Sequence, residues 1–309
     1  MKGPLFFAKI LLFGEYGIIK DSKGLSIPYN FYRGALKWAD QETEATLSSH
    51  QNLREYIDHL KTLPTDLIAL DWERLSADMN QKLYFDSSIP QGYGVGSSGA
   101  LVAAVYDRYA LDKIDASDAL TPEKLSRLKT IFAAMECYFH GQSSGLDPLN
   151  SYLSLPLLIH SKDKIETTGL PGQNPQGRGA VFLLDSGSSG ATGPMVSLFM
   201  ENMKEEGFRK MMRDEFAQMT DRCVENFLKG NIKSLFGNVK SLSTLVLKYF
   251  KPMIPEEFHE LWKKGLETNA YYLKLCGSGG GGYMLGFTQD LETARAVLQG
   301  HHLEVVYHF

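Results

Sequence analysis

Between residues 90 and 105 the chain reads Pro-Gln-Gly-Tyr-Gly-Val-Gly-Ser-Ser-Gly-Ala-Leu-Val-Ala-Ala-Val, and few folds can accommodate residues in that order. Glycines at 92, 94, 96 and 99 permit positive φ and leave the backbone bare, so a ligand can reach main-chain amides that a Cβ would screen. Ser97 and Ser98 add hydroxyls, and from Ala100 to Tyr109 most residues are small or apolar helix formers. The stretch therefore predicts a loop opening onto a helix whose first-turn amides have no partner within the helix. Such amides, together with the positive end of the helix dipole, attract an anion. A phosphate chain is the guest that fits, and Gly92, Gly94, Gly96, Ser97, Ser98, Gly99 and Ala100 are the expected nucleotide-binding residues.

Two common phosphate motifs do not account for it. A Walker A loop needs a lysine directly after its last glycine, and Gly99 is followed by Ala100. Residues 94–99 satisfy the spacing of a dinucleotide fingerprint, but that motif follows a buried strand and opens a βαβ unit. Here Ser87, Ser88, Ile89, Pro90 and Gln91 precede the glycines, and they do not form a strand ending there. Residues 277–282 match the same spacing again, which shows how little it discriminates.

Two further stretches change the reading: Lys-Ile-Leu-Leu-Phe-Gly-Glu-Tyr at 9–16 and Cys-Gly-Ser-Gly-Gly-Gly-Gly-Tyr at 276–283. With residues 90–104 they resemble, in order, the three motifs of the GHMP kinases, the superfamily of galactokinase, homoserine kinase, mevalonate kinase and phosphomevalonate kinase. The resemblance spans almost the whole chain. It implies an α+β, two-domain GHMP kinase fold. Residues 1–188 would form a ribosomal protein S5 domain 2-like domain that binds ATP and carries the chemistry, and 189–309 a ferredoxin-like C-terminal domain. It also implies ATP and Mg²⁺ as cofactors and a small-molecule alcohol as acceptor.

Gly-Gln-Ser-Ser-Gly-Leu-Asp at 141–147, after His140, resembles the mevalonate-kinase-type H-G-x-x-S-G-x-D segment. Phosphoryl transfer to an alcohol needs in-line positioning, charge neutralisation and a carboxylate for the hydroxyl proton, and Asp147 is the candidate base. The resemblance implies that Ser98 and Glu136 contact Mg²⁺ and that Lys9, inside the apolar run 4–13, holds the attacking oxygen. It places Glu15 and Tyr16 near the substrate, with Thr192 of the 190–196 stretch and the third-motif glycines Gly279 and Gly280. Three departures stand out: Phe7-Ala8 replaces the usual Pro-Gly before the lysine, Tyr16 replaces the mevalonate kinase histidine, and Ala191 replaces the serine before Thr192. Mevalonate is the first acceptor implied. Phosphomevalonate, a sugar or heptose, and a non-catalytic nucleotide-binding role are alternatives, and a dinucleotide oxidoreductase is a more distant one.

With 309 residues, 43% of them hydrophobic, the chain can bury the cores of two modest domains. A formal charge of -4 gives no general reason to expect nucleic acid or an anionic membrane as partner. Cys137, Cys223 and Cys276 offer neither a disulfide framework nor a zinc site. No apolar run approaches a membrane span, so a soluble, cytoplasmic protein is expected, with a homodimer left open. Periodicity and caps predict a strand over 4–13, a turn at 21–24, a β-rich stretch to 47, helices over 52–63 and 71–79, and a strand over 81–85. Thr121-Pro122-Glu123 starts a helix to 140 whose stripe is Leu125, Leu128, Phe132, Met135 and Phe139. A strand follows at 179–184, then helices over 207–229, 232–250, 255–268 and 290–299, and strands over 271–275, 283–287 and 303–309. His50 and His59 read as surface residues and His140 as structural.

Overall fold

The structure, a computed structural model, describes residues 4–20 and 22–309. Asp21 of the expected turn, and residues 1–3 of the expected first domain, lie outside the described residues. Packing divides the chain into two compact units: residues up to Lys9 with Ile27–Gln91 and Gly96–Leu155, and Ile10–Ser26 with Gly92–Val95 and Pro156–Phe309. The chain passes between the units within β1 (Phe6–Phe13) and within β2 (Gly24–Trp38). Both units mix helices with antiparallel strands, which makes this an α+β two-domain fold.

In the first unit, β1 is buried at Phe6, Ala8 and Lys9. The second half of β2 continues into α1 (Glu44–Leu60) and α2 (Trp72–Asn80), then returns as β3 (Leu83–Ser87), which pairs antiparallel with residues 34–38. α1 starts eight residues before the expected helix and cuts short the expected β-rich stretch. A capping box explains this: Thr43 Oγ1 accepts from Thr46 N at 3.2 Å while Thr46 Oγ1 accepts from Thr43 N at 2.9 Å. Next come α3 (Ser97–Tyr109), α4 (Pro122–His140) and α5 (Leu146–Leu153). α4 begins at its Thr121 cap and buries Leu125, Leu128, Ile131, Phe132, Met135 and Glu136. Phe139, expected in that stripe, is half-buried, and Glu136, expected at its edge, lies inside.

The second unit holds β4 (Leu157–Ser161), β5 (Lys164–Thr167), β6 (Ala180–Asp185), α6 (Thr192–Asn202), α7 (Glu206–Met211), α8 (Ala217–Leu228), α9 (Ile232–Tyr249), α10 (Phe258–Thr268), β7 (Tyr272–Leu275), β8 (Tyr283–Thr288), α11 (Leu291–Val297) and β9 (Leu303–His308). The helix expected over 207–229 is interrupted by a π-helical turn, Met212–Phe216. Four strands form an antiparallel sheet in the order β7-β8-β6-β9. β6 is central and apolar, pairing with β8 across residues 180–185 and with β9 on its other edge. This pairing places 180–185 with the C-terminal strands, so the division expected at 188/189 does not follow the packing. Trp262, Tyr271, Phe182, Phe227 and Phe250 fill the core of this unit, with Trp262 Nε1 donating to Ser243 Oγ at 2.8 Å.

Candidate active site

In the first unit the chain brings together Lys9, Ser98, Glu136, His140, Ser143 and Asp147. Lys9 sits in a strand with its neighbours buried and is itself 4% exposed. Burying an ammonium is costly without a partner, and Lys9 Nζ lies 3.0 Å from Asp147 Oδ1. The Asp147 side chain is 38% exposed, so its carboxylate meets both the buried cation and solvent. Gly96 makes room for this lysine: with φ +83 it enters α3, and a Cβ there would sit 2.9 Å from Lys9 Cγ.

α3 starts at Gly96 with no side-chain cap. Its first turn holds Ser97, Ser98 and Gly99, and the Ala100 amide donates to the Gly96 carbonyl at 3.1 Å. Uncapped first-turn amides are the anion-attracting end of a helix. Gly99 lies against the start of α5, where a Cβ would stand 2.7 Å from the Asp147 carbonyl carbon and 2.8 Å from Pro148 N. Its lack of a side chain therefore sets the distance between α3 and the residue that carries the exposed carboxylate. Gly92 and Gly94 precede this helix in the second unit, where both have positive φ; Gly92 lies against Ser189 Cβ and the Gly190 main chain, and Gly94 against the main chain of 276–277.

Glu136 is 3% exposed. It accepts from Ser98 Oγ at 2.9 Å on one oxygen and from Ser143 Oγ on the other. Burial first, and the charge of Asp147 second, push its carboxyl up to about 7, against the opposing effects of Ser143, Ser98 and Lys9. His140 Nε2 stands 3.1 Å from the same Ser98 hydroxyl, and burial lowers its pKa. The neutral ring is the favoured form at neutral pH. His140, expected to be structural, thus meets the same hydroxyl as Glu136, and Ser143 is a contact that the sequence does not single out. In the H-G-x-x-S-G-x-D pattern the matched serine is Ser144, yet Ser143 is the residue on Glu136. The oxygen donors Ser98 and Glu136 suit a hard cation such as Mg²⁺, which takes one or two protein carboxylates and completes its shell with phosphate and water oxygens. Among the described residues, no group of three His, Cys, Asp or Glu side chains is arranged to hold a metal.

The residues expected near the substrate lie in the second unit. Glu15 is buried and takes a hydrogen bond from Lys274. Tyr16 occupies the left-handed region at φ +59, stacks on Phe199 with ring centroids 4.6 Å apart, and donates to the Ser278 carbonyl at 2.7 Å. Burial, then Glu15, raises its pKa. Ser278 Oγ in turn donates to Thr192 Oγ1 at 3.4 Å. Tyr16 and Thr192 are thus joined through Ser278, a third-motif residue not picked out beforehand. Gly279 is buried and Gly280 exposed, and the Gly280 amide donates to the Met253 carbonyl at 2.7 Å.

Most of this cluster falls in a stretch that matches a known protein family. Residues 67–154 match the family described as GHMP kinases N terminal domain, a span that holds Ser98, Glu136, His140, Ser143 and Asp147. Over the whole chain the similarity to solved kinases is one of fold. It is similar to L. major mevalonate kinase solved with R-mevalonate: TM-score 0.63, 16% identity, 99% of this chain and 97% of that chain covered. It is similar to Streptococcus pneumoniae phosphomevalonate kinase solved with phosphomevalonate and AMPPNP: TM-score 0.63, 14% identity, coverage 98% and 99%. Lactococcus lactis galactokinase with galactose is similar over 98% and 94%, with TM-score 0.60 and 12% identity. No curated protein matches the chain by sequence. Among the described residues no helix is long and apolar enough to cross a membrane.

Proposed function

We propose that the chain is an ATP-dependent small-molecule kinase that moves the γ-phosphoryl group of ATP to the hydroxyl of mevalonate, giving 5-phosphomevalonate. The observation that carries this reading is the Lys9–Asp147 pair, a buried cation 3.0 Å from a partly exposed carboxylate, in the same unit as the uncapped start of α3. In this reading Asp147 takes the proton of the acceptor hydroxyl and Lys9 steadies the oxygen that attacks. The amides of Ser97, Ser98 and Gly99, entered through the bare backbone of Gly96, receive the triphosphate. Ser98 and Glu136 are the oxygen donors for Mg²⁺, which supplies neutralisation of phosphate charge when bound. Most of the acceleration in such transfers comes from positioning and electrostatics, and a positioned base adds roughly 10²- to 10⁴-fold.

Solved relatives in fold that bind R-mevalonate, and phosphomevalonate with AMPPNP, support the substrate class. Tyr16 in place of the mevalonate kinase histidine favours a second reading, phosphomevalonate kinase. A coupled ADP-release assay across mevalonate, phosphomevalonate, homoserine and galactose decides between them. Turnover on mevalonate is expected to exceed the others, higher turnover on phosphomevalonate selects the second reading, and no turnover on either removes both. Asp147→Asn is expected to bind ATP as the wild type does and to lose roughly 10²- to 10⁴-fold in kcat. A wild-type rate in that variant would remove Asp147 from its role.

A further inference from the structure

The far end of α3 borders a cleft that none of the roles above uses. It encloses about 300 Å³, at the lower end of small-ligand pockets, and its lining residues all belong to the first unit. Phe6, Leu36 and Ala104 are buried and apolar, Trp38 adds an aromatic surface, Arg74, Arg108 and Lys113 bring positive charge, and Asp107 brings one carboxylate. Arg108 lies ten residues along α3 from Ser98, about 15 Å at 1.5 Å per residue. The cleft is therefore separate from the Lys9–Asp147 cluster.

Its polar groups are unevenly satisfied. Arg108 is committed: Nε and Nη2 bond Asp78 Oδ2 at 2.8 and 2.7 Å, and the guanidinium lies 4.6 Å from the centre of the Trp38 ring. Lys113 is shared between Asp107 at 2.9 Å and Asp115 at 3.7 Å. Arg74 donates to the Arg108 carbonyl at 3.2 Å, and among the described residues no carboxylate lies within ion-pair distance of it. Trp38 Nε1 is buried and has no hydrogen-bond partner among the described residues. Native proteins leave few buried donors unpaired, because each one costs free energy that an acceptor would recover. A guanidinium beside an apolar floor, with an indole N–H lacking an acceptor, is chemistry matched by one class of molecule.

We propose that this cleft binds an amphipathic anion. Its apolar body rests on Phe6, Leu36 and the Trp38 ring. Its carboxylate or phosphate meets Arg74, whose planar fork suits both groups, and Lys113 keeps the Asp107 carboxylate in the lining offset. One of its oxygens accepts from Trp38 Nε1.

The full chain, labelled with ¹⁵N, has three indole N–H signals to follow, from Trp38, Trp72 and Trp262, and Trp38→Phe assigns the first. Titration with phenyl phosphate and with phenylacetate distinguishes phosphate from carboxylate, and benzyl alcohol serves as the uncharged control. The Trp38 signal is expected to move saturably with at least one anion, while that of Trp262, bonded to Ser243, stays in place. A hydrogen bond to a charged group supports a loss of roughly tenfold or more on its removal. Arg74→Gln is expected to weaken binding by that factor and benzyl alcohol to bind weaker by at least as much. Arg74 is exposed on α2, so an unchanged melting temperature is expected to accompany the loss, and Lys113→Gln gives a second, smaller weakening in a separate element. A Trp38 signal unmoved by both anions, equal affinity for benzyl alcohol, or unaltered affinity in Arg74→Gln would overturn the proposal.

Discussion

Lys274 and Glu15 form an ion pair inside the second unit, their side chains 4% and 7% exposed. Lys274 Nζ also donates to the carbonyls of Leu275 at 2.9 Å and Leu11 at 3.4 Å. Lys274→Met keeps most of the aliphatic stem but removes the cation, leaving the Glu15 carboxylate buried without it. Removing one partner of a buried pair costs about 3–5 kcal/mol. Glu15→Gln should cost less, about 1.5–3 kcal/mol for one hydrogen bond to a charged group, because the ammonium keeps both carbonyls and gains an amide oxygen. Combining Glu15→Gln with Lys274→Met leaves no buried charge at the pair, so the double variant should be more stable than Lys274→Met alone. Urea unfolding measures all three. In a Trp38→Phe, Trp72→Phe background the remaining Trp262 reports the second unit by fluorescence. A Lys274→Met variant within about 0.5 kcal/mol of its parent, the range of ordinary surface substitutions, or a double variant equal to the sum of the singles, would refute a coupled buried pair. This pair also bears on the expected substrate role of Glu15, whose carboxylate is engaged within its own unit.

Gly99→Ala would put a methyl 2.7 Å from the Asp147 backbone; a loss of about 1–3 kcal/mol in stability should come with a fall in kcat, and a purely thermal effect would show that α5 is not being displaced. Ser143→Ala removes both the donor to Glu136 and the acceptor of the Gly145 amide at 2.9 Å, so about 1–3 kcal/mol is expected. Ser144→Ala loses a single 3.4 Å bond to Leu146 N and should stay within about 0.5 kcal/mol; equal losses in thermal melts would reverse that ranking. The Glu136 carboxyl, pushed from 4.5 up to about 7 in the folded chain, contributes stability that is present below about pH 4.5 and lost as pH rises through about 7, on the order of 3 kcal/mol. In chelator-treated protein, the stability of wild type minus that of Glu136→Gln should fall over that window, and a flat difference would contradict it.

Much of the first unit was legible because its boundaries are written in local chemistry. Thr121-Pro122 caps its helix where the sequence says it should, and the helix expected from Asp71 starts one residue on, with Asp71 as its cap. The first turns of α1 were not legible, since residues 44–51 carry no apolar periodicity and the signal is the Thr43–Thr46 box alone. α5 was hidden for another reason: its eight residues follow a left-handed Gly145 and read first as a chemical motif. The assignment of β6 to the second unit depends on pairing with β8 and β9, about a hundred residues away or more, which no window of sequence contains. Lys9, Ser98, Glu136 and Asp147 are all named from the sequence, and the resemblance sets Lys9 beside Asp147 and Ser98 beside Glu136, as the structure does. Ser143 escaped because the segment pattern leaves its position open, while its neighbour Ser144 carries the match.

The glycines teach a different lesson about what a motif selects. A Gly-rich stretch reads as backbone kept bare for a ligand, yet several of these glycines are bare for the chain's own sake. A Cβ at Gly94 would stand 2.4 Å from the Cys276 carbonyl oxygen, and one at Gly282 2.5 Å from Tyr93 Cα. The Gly190 amide donates to the Gly92 carbonyl at 2.8 Å, and the Gly282 amide bonds the Ser188 carbonyl. Residues 92–94, 188–190 and 276–282 are therefore packed main chain against main chain within the second unit. Such contact tolerates no side chain at the touching positions, and the dense run at 277–282 needs no nucleotide to account for it. At Gly96 and Gly99, in the first unit, the crowding atoms belong instead to Lys9 and to the Asp147–Pro148 peptide. There the demand for glycine and the placement of the reacting groups are the same requirement. A larger residue at either position should disturb the Lys9–Asp147 pair before it disturbs anything a ligand touches.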